Sequence, residues 1–180
     1  MRLNTRWVLA GIVCVLLVFA ITVAILSRDQ GSSDQAGFSV AEMIARKNLS
    51  TKVKTLGPDH LSVAFSLINL ANLCRDNGRY AEAEPLYLRA LAIRKKNLGP
   101  AHPDIAKSLV SLAVLYGKQE RYAEAESLYK QALATQEQVQ GPNHPLVAAT
   151  LYSYADLLRE TNRTDEAEQL EGRARAIRRK

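Results

Sequence analysis

The chain carries one short motif three times at a constant spacing. The motif reads LGPDH at 56–60, LGPAH at 98–102 and QGPNH at 140–144, so each copy begins 42 residues after the previous one. A repeat of this length is one supersecondary unit, which cannot bury its apolar face alone and must stack on its neighbours. The spacing therefore predicts a solenoid, an all-α one if the units are helical.

Each repeat contains two apolar patterns with helical spacing. In the first repeat, apolar residues recur three or four positions apart over 63–74 and again over 83–91, as on one face of a helix. Gly78 separates the two patterns and Gly99-Pro100 follows the second, because glycine accepts the left-handed geometry of a helix end and proline cannot continue a helix. The repeats therefore predict six helices, at about 60–77, 80–97, 102–118, 122–139, 144–160 and 164–178.

A weaker copy of the second helix precedes the first repeat. Apolar residues between 38 and 49 stand 42 positions before those of 80–91, and Ser39 followed by Glu42 is a capping-box pattern. Segment 38–55 is therefore predicted to be an N-terminal capping helix, a degenerate half-repeat that covers the apolar end of the stack. The repeats are assigned to 56–97, 98–139 and 140–180, the third of which includes the C-terminal cap.

The N-terminal part contains a run of 20 uncharged, mostly apolar residues at 7–26. About 20 such residues are needed to cross a bilayer core of about 30 Å as a helix. Arg2 and Arg6 precede the run, and positive charge is retained on the cytoplasmic side. We predict a cytoplasmic N-terminus at 1–6, a transmembrane signal-anchor helix at 7–26, a polar tether at 27–37, and repeats in the periplasm of a bacterial inner membrane.

Two alternatives to this placement remain open. A cleaved secretory signal peptide would also begin with basic residues and an apolar stretch, which would leave the repeats secreted, but its apolar region is usually about 7 to 15 residues long. The reverse orientation would make the chain a cytosol-facing receptor on a cell or organelle membrane.

Composition and charge disfavour several classes of function. The net charge of +6 is spread along the chain, so no basic stripe suited to nucleic acid results. Cys14 and Cys74 are expected on opposite sides of the membrane, so no intrachain disulfide is predicted. The sequence shows no Ser-His-Asp, Cys-His or phosphate-loop pattern, so we predict no enzyme, no cofactor and no metal site.

Two recurring polar features receive structural interpretations. His60, His102 and His144 recur because each stands at the start of a helix, so they are not predicted to bind metal. The acid pair Glu82/Glu84 and its copies at 124/126 and 166/168 lie early in helices, where they are predicted to complement the helix dipole and face water. The basic C-terminal tail is likewise explained by cations at a helix C-terminus, and binding to an acidic partner or to lipid headgroups is the alternative.

The packing positions resemble the tetratricopeptide repeat. Leu67, Leu70, Ala71, Cys74, Ala83, Tyr87 and Ala90 follow its large and small pattern, and 109–132 repeats it. The longer period, the Gly-Pro-x-His opening and the phrase GRYAEAEPLY at 78–87 resemble the kinesin-light-chain type. The resemblance implies a tetratricopeptide-repeat solenoid of antiparallel helix pairs that acts as a protein-protein interaction scaffold or adaptor.

The resemblance also implies a binding face, because the first helix of each pair lines the concave side of such a stack. The inner positions would form a groove for an extended or helical segment of another protein. In the first repeat they are Phe65, Ile68, Asn69, Asn72 and Arg75; in the second Lys107, Val110, Ser111, Val114 and Gly117; in the third Ala149, Tyr152, Ser153, Asp156 and Arg159. The twelve principal candidates are these residues without Gly117, Ala149 and Ser153.

Two departures from the family pattern refine this expectation. Some members hold a partner's C-terminal carboxylate with Lys and Asn, but Ile68 and Val110 stand at the offsets where lysines would be needed, so an intact carboxylate clamp is not predicted. In the third repeat Glu171 replaces the tyrosine of the earlier units, which predicts a solvated end cap. A stack of about three repeats is near the minimum for stability, so self-assembly into a homo-oligomer is a further alternative.

Overall fold

The computed structural model describes residues 40–179. The chain divides into two units, 1–44 and 45–180, and the six repeat helices lie within the second. The predicted transmembrane helix at 7–26 and the tether at 27–37 lie outside the described residues. Among the helices over 40–179, none is long and apolar enough to span a bilayer.

All regular secondary structure in the described part is helical, which confirms the all-α class predicted for the repeats. The six helices of the repeats begin and end within one residue of their predicted bounds. A helix over 40–56, named α1, precedes them. The others are α2 (Leu61–Asp76), α3 (Tyr80–Leu98), α4 (Pro103–Lys118), α5 (Tyr122–Gln140), α6 (Pro145–Glu160) and α7 (Thr164–Arg178).

Histidine begins the first helix of every repeat. The Nδ1 atoms of His60, His102 and His144 accept hydrogen bonds from the backbone N–H two residues later, at 3.1, 3.1 and 3.2 Å. An N-cap side chain normally satisfies one of the free N–H groups of the first turn in this way. The three histidines therefore recur because three helices need a cap.

The turn inside each hairpin uses one left-handed residue. Gly78, Glu120 and Asn162 occupy the same place in the three repeats, with φ of 72°, 60° and 60°. In each turn the N–H of the following residue donates to a carbonyl five residues earlier, at 2.9 Å, which is the Schellman arrangement that ends a helix. The two helices of a repeat are thereby turned back on each other.

The three hairpins, α2–α3, α4–α5 and α6–α7, pack in chain order, and α4 also contacts α6. One buried cluster extends through all three hairpins. Small residues such as Ala71, Ala83 and Ala113 are fully buried where helices approach, and Tyr87 and Tyr129 fill the larger gaps. On the N-terminal side, Leu49 and Val53 of α1 pack on the first hairpin; that α1 covers the end of the stack stays a prediction.

Charged pairs also join successive hairpins, which corrects one expectation. Glu84 and Glu126 were predicted to face water, but their side chains are only 25% and 19% exposed. Glu84 binds Arg121 of the next hairpin at 3.0 Å, and Glu126 binds Arg163 at 2.6 Å. The helical position alone indicated exposure, whereas Arg121 and Arg163, which follow the left-handed turns of the second and third hairpins, contact the hairpin before them.

Candidate functional site

The first helices α2, α4 and α6 carry the predicted inner-face positions, and none of the twelve principal candidates is buried. Phe65 is 56% exposed, and the Nζ atom of Lys52 lies 5.7 Å from the centre of its ring. The other exposed candidates are Asn69, Lys107, Asp156 and Arg159, and the half-buried ones are Ile68, Asn72, Arg75, Val110, Ser111, Val114 and Tyr152. These side chains are accessible in the described chain; whether they bind a partner stays a prediction.

In the first hairpin, two of these residues are held by a core tyrosine. The hydroxyl of Tyr87 donates to Oδ1 of Asn72 at 2.5 Å and accepts from Arg75 at 3.2 Å. Tyr87 is 1% exposed, and burial raises its pKa to about 12. Asn72 and Arg75 therefore satisfy a buried hydroxyl, so their polar groups are less available to a partner than the sequence suggested.

In the third hairpin, Glu171 stands at the position that Tyr87 occupies in the first. It too contacts a residue of the predicted groove. Glu171 was predicted to lie on a solvated cap, but its side chain is 14% exposed and pairs with Arg159. Arg175 binds the same carboxylate at 3.5 Å. The hydrogen bond from Arg159 lowers the pKa of Glu171. Arg159, a predicted groove residue, thus ties α6 to α7.

In the second hairpin, the equivalent tyrosine is Tyr129, and the two residues that would be its partners are replaced. Val114 and Gly117 stand where Asn72 and Arg75 stand one repeat earlier. A hollow of about 210 Å³ lies there between α4 and α6, with Tyr129 of α5 in its wall. It is lined by Ala113, Val114, Gly117, Lys118, Tyr129, Ser153, Asp156, Leu157 and Glu160.

Gly117 is buried, whereas its position predicted an exposed inner residue. A Cβ atom on Gly117 would lie 3.0 Å from Cδ1 of Leu157, so α4 and α6 approach closely at this point. The structure brings Val114 and Asp156 together at the hollow, with Gly117 and Ser153. Lys118, Glu160 and Tyr129 also line the hollow and were not predicted as binding residues, although the change from Asn72 and Arg75 to Val114 and Gly117 is visible in the repeat.

A second hollow, of about 490 Å³, lies on another side of the stack. Ile105 and Leu109 of α4 form its apolar wall, and both are buried. Residues of the second helices and of one inter-repeat turn complete it: Lys95, Pro100, Gln131, Ala134 and Thr135. No residue of this hollow was predicted as a binding residue.

A stack of capped helical hairpins with an accessible row of variable first-helix positions defines a helical-repeat protein. The sequence matches the family profile for the tetratricopeptide repeat over 38–96, 62–138 and 104–180. The chain therefore belongs to the tetratricopeptide-repeat family, members of which generally serve as scaffolds for protein-protein interaction.

Solved structures agree with the resemblance to kinesin light chains. A putative kinesin light chain from Podosopora anserina, with nearly identical TPR-like repeats, is 28% identical with a TM-score of 0.66, over 80% of this chain and 68% of that chain. A point-substituted form of that protein gives a TM-score of 0.68 at 28% identity, over 79% and 68%. The predicted kinesin-light-chain type of repeat is confirmed.

A further solved structure shows the same fold. BtubC (BKLC) from P. vanneervenii is 20% identical with a TM-score of 0.71, and the match covers 79% of this chain and 57% of that chain. The chain thus spans 57% of the length of BtubC. No curated protein matches the sequence significantly.

Proposed function

We propose that this chain is a membrane-anchored scaffold, without catalytic activity of its own, that binds a segment of another protein along the first helices α2, α4 and α6. The observation that carries the proposal is the contrast between two sets of positions. Packing residues such as Ala71 and Ala113 are buried and nearly invariant between repeats. The inner-face positions other than Gly117 stay accessible, and they change, for example, from Phe65 to Lys107 to Ala149.

This contrast has a physical reason. Stacking requires small and large residues at fixed places, so those places repeat from unit to unit. Positions that the stack does not use are free to take whatever a ligand requires. A row of apolar and amide side chains on parallel first helices offers both apolar contacts and hydrogen bonds to a peptide backbone.

The experiment that tests this face is a peptide selection. Random twelve-residue peptides displayed on phage are selected on the full-length protein in non-ionic detergent. Affinities of the selected peptides are then measured for a Phe65→Ser/Tyr152→Ser variant. We expect a loss of at least about tenfold, because two large contact residues are removed.

A matched control tests whether the loss is specific to the proposed face or follows from the removal of any exposed apolar side chains. Leu88→Ser/Val139→Ser also removes two large side chains, which are 44% and 40% exposed and lie on the second helices α3 and α5. This control should keep the affinity. If both variants bind equally well, with unchanged thermal unfolding, the proposed face is wrong.

The proposed membrane anchor is residues 7–26, supported by the length and apolarity of that run. Arg2 and Arg6 support an orientation with the repeats on the periplasmic side of a bacterial inner membrane. Thermolysin added to intact spheroplasts should then digest the repeats. Protection until the membrane is lysed would favour the cytosol-facing receptor instead, and recovery in the soluble fraction without residues 7–26 would indicate signal-peptide cleavage.

A further inference from the structure

The hollow between α4 and α6 contains a tyrosine hydroxyl with unused hydrogen-bonding capacity. Tyr129 is 2% exposed and lines the hollow. Among the described residues, none forms a hydrogen bond with its hydroxyl, in contrast to Tyr87 with Asn72 and Arg75. The hydroxyl is not one of the buried unpartnered atoms of the described residues, so it is open to a partner. A tyrosine hydroxyl can accept a hydrogen bond, so this oxygen is a recognition point for a donor that enters the hollow.

The charges around the hollow favour a positively charged donor. Lys118 contributes one positive charge, whereas Asp156 and Glu160 contribute two negative charges. Lys118 lies 3.8 Å from Glu160, and the Asp156 side chain is 76% exposed with its nearest cation, Arg159, at 3.9 Å. Burial raises the pKa of Tyr129, and the charges of Asp156 and Glu160 add to that effect. The hydroxyl thus stays protonated in a negative local field.

The remaining wall suits an alkyl stem. Val114 and Leu157 supply apolar surface between the helices, and long basic side chains bury their methylene groups on such surface while the charged end reaches polar groups. Sites for whole small molecules are usually about 300–1,000 Å³. The 210 Å³ hollow is therefore the size for one side chain.

We infer that the hollow over Tyr129 binds one lysine or arginine side chain of the partner segment. The stem lies against Val114 and Leu157, and the charged end donates to the Tyr129 hydroxyl and pairs with Asp156. In the first repeat, Asn72 and Arg75 of the chain itself make the corresponding hydrogen bonds, with the hydroxyl of Tyr87. This inference rests on the proposed function, because it specifies which residue the bound segment presents between α4 and α6.

A double-mutant cycle on the selected peptides tests the inference. A peptide that binds the wild type is compared with a copy in which its conserved basic residue is replaced by norleucine. On the wild type this change should weaken binding about tenfold, since hydrogen bonds to charged groups are lost. On Tyr129→Phe and on Asp156→Asn it should weaken binding less than about threefold.

Two further variants sharpen the result. Val114→Asn places an amide in the register of Asn72, where it can satisfy Tyr129 from within the chain, so it should lower the affinity for the basic peptide and spare the norleucine peptide. Tyr122→Phe removes a hydroxyl on α5, outside both the hollow and the proposed face, and should leave the difference between the two peptides unchanged. Thermal unfolding of each variant shows that the repeats are intact.

The outcomes separate the inference from the proposed function. Selected peptides without a basic position, or an equal norleucine effect on the wild type and Tyr129→Phe, would overturn the side-chain assignment while leaving the binding face in place. If the peptides bind the Phe65→Ser/Tyr152→Ser variant as well as the wild type, the proposed face and this inference both fail.

Discussion

Arg163 and Glu126 belong to successive hairpins, and a guanidinium nitrogen of Arg163 lies 2.6 Å from a carboxylate oxygen of Glu126. The same pair occurs one repeat earlier as Arg121 and Glu84 at 3.0 Å. In each case the arginine also binds an acid in the first turn of its own helix. Each pair thus links the turn of one hairpin to the second helix of the hairpin before it.

Acid should weaken the repeats through Glu126. The hydrogen bonds from Arg163 and Lys130 lower its pKa from 4.5 to about 2. The unfolded chain therefore takes up this proton first, so the stabilisation is fully present above about pH 4.5 and is lost as the pH falls toward 2. Glu126→Gln should lower the free energy of unfolding by about 1–3 kcal/mol at neutral pH. It should also make that free energy depend less on pH over the same range.

Urea unfolding followed by circular dichroism at several pH values measures this effect. Glu168→Gln is the control, because Glu168 is exposed on α7 and has no ion pair with the other described residues. A Glu126→Gln variant with the same pH slope as the wild type would show that the pair does not contribute in solution.

Replacement of the left-handed turn residue of the second hairpin should stabilise the protein. Glu120 has φ of 60°, whereas glycine occupies this place in the first hairpin. A side chain in left-handed geometry costs about 1–2 kcal/mol, part of which glycine loses again through the entropy of the unfolded chain. Glu120→Gly should therefore raise the free energy of unfolding by about 0.5–1 kcal/mol.

Chemical denaturation of Glu120→Gly and Glu120→Ala distinguishes the cause. Alanine keeps the Cβ atom and should give no such gain, and Gly78→Ala should destabilise. A gain in Glu120→Ala equal to that in Glu120→Gly would point to the charge of Glu120 and not to its backbone geometry.

The helix interfaces differ at one repeated position. Arg94 donates to the carbonyl of Asp104 at 2.8 Å and to Oγ of Ser108 at 2.7 Å. Gln136 stands one repeat later, 2% exposed, and its Oε1 atom is buried without a hydrogen bond from the described residues. Because an unsatisfied buried acceptor is unfavourable, Gln136→Leu should be neutral or stabilise by up to about 1 kcal/mol, whereas Arg94→Leu should destabilise by about 1–3 kcal/mol.

Thermal unfolding of the two variants gives the comparison. Equal losses would mean that the Gln136 carboxamide is satisfied in solution and contributes as Arg94 does. A Gln136→Leu variant at least as stable as the wild type is the expected result.

Close approach of the two helices in the first hairpin should make Ala83 intolerant of a larger residue. Ala83 is fully buried, so Ala83→Leu should overpack the interface and cost about 1–3 kcal/mol. Ala81→Leu is the matched control, because Ala81 is exposed two positions earlier in α3. Urea unfolding should show a loss for the first variant and little change for the second; equal stabilities would contradict the close packing.

Local features explain why so much of the fold was predictable. The 42-residue spacing, the glycine and proline breaks and the apolar periodicity predicted all six repeat helices to within one residue. Caps and turns depend on groups only a few residues apart, as for His102 and the N–H of Asp104 at 3.1 Å. Such interactions recur wherever the motif recurs, so they can be predicted from the sequence.

The chemistry of the proposed binding face was less predictable, because it depends on residues brought together by stacking. Arg159 fitted the helical register of an exposed position, yet it pairs with Glu171 of α7. Glu84 fitted a solvated first turn, yet it meets Arg121, 37 residues later.

The sequence by itself determined the repeat, the helix pairs and the family, and it predicted a row of inner positions. Only the tertiary structure decided which of those positions are already engaged and where a hollow opens. Tyr87 and Tyr129 are equivalent in sequence, but the first is satisfied by Asn72 and the second faces the hollow beside Val114. The physical reason is that periodicity specifies packing between backbones, whereas hydrogen bonds and cavities depend on the particular side chains that meet across helices.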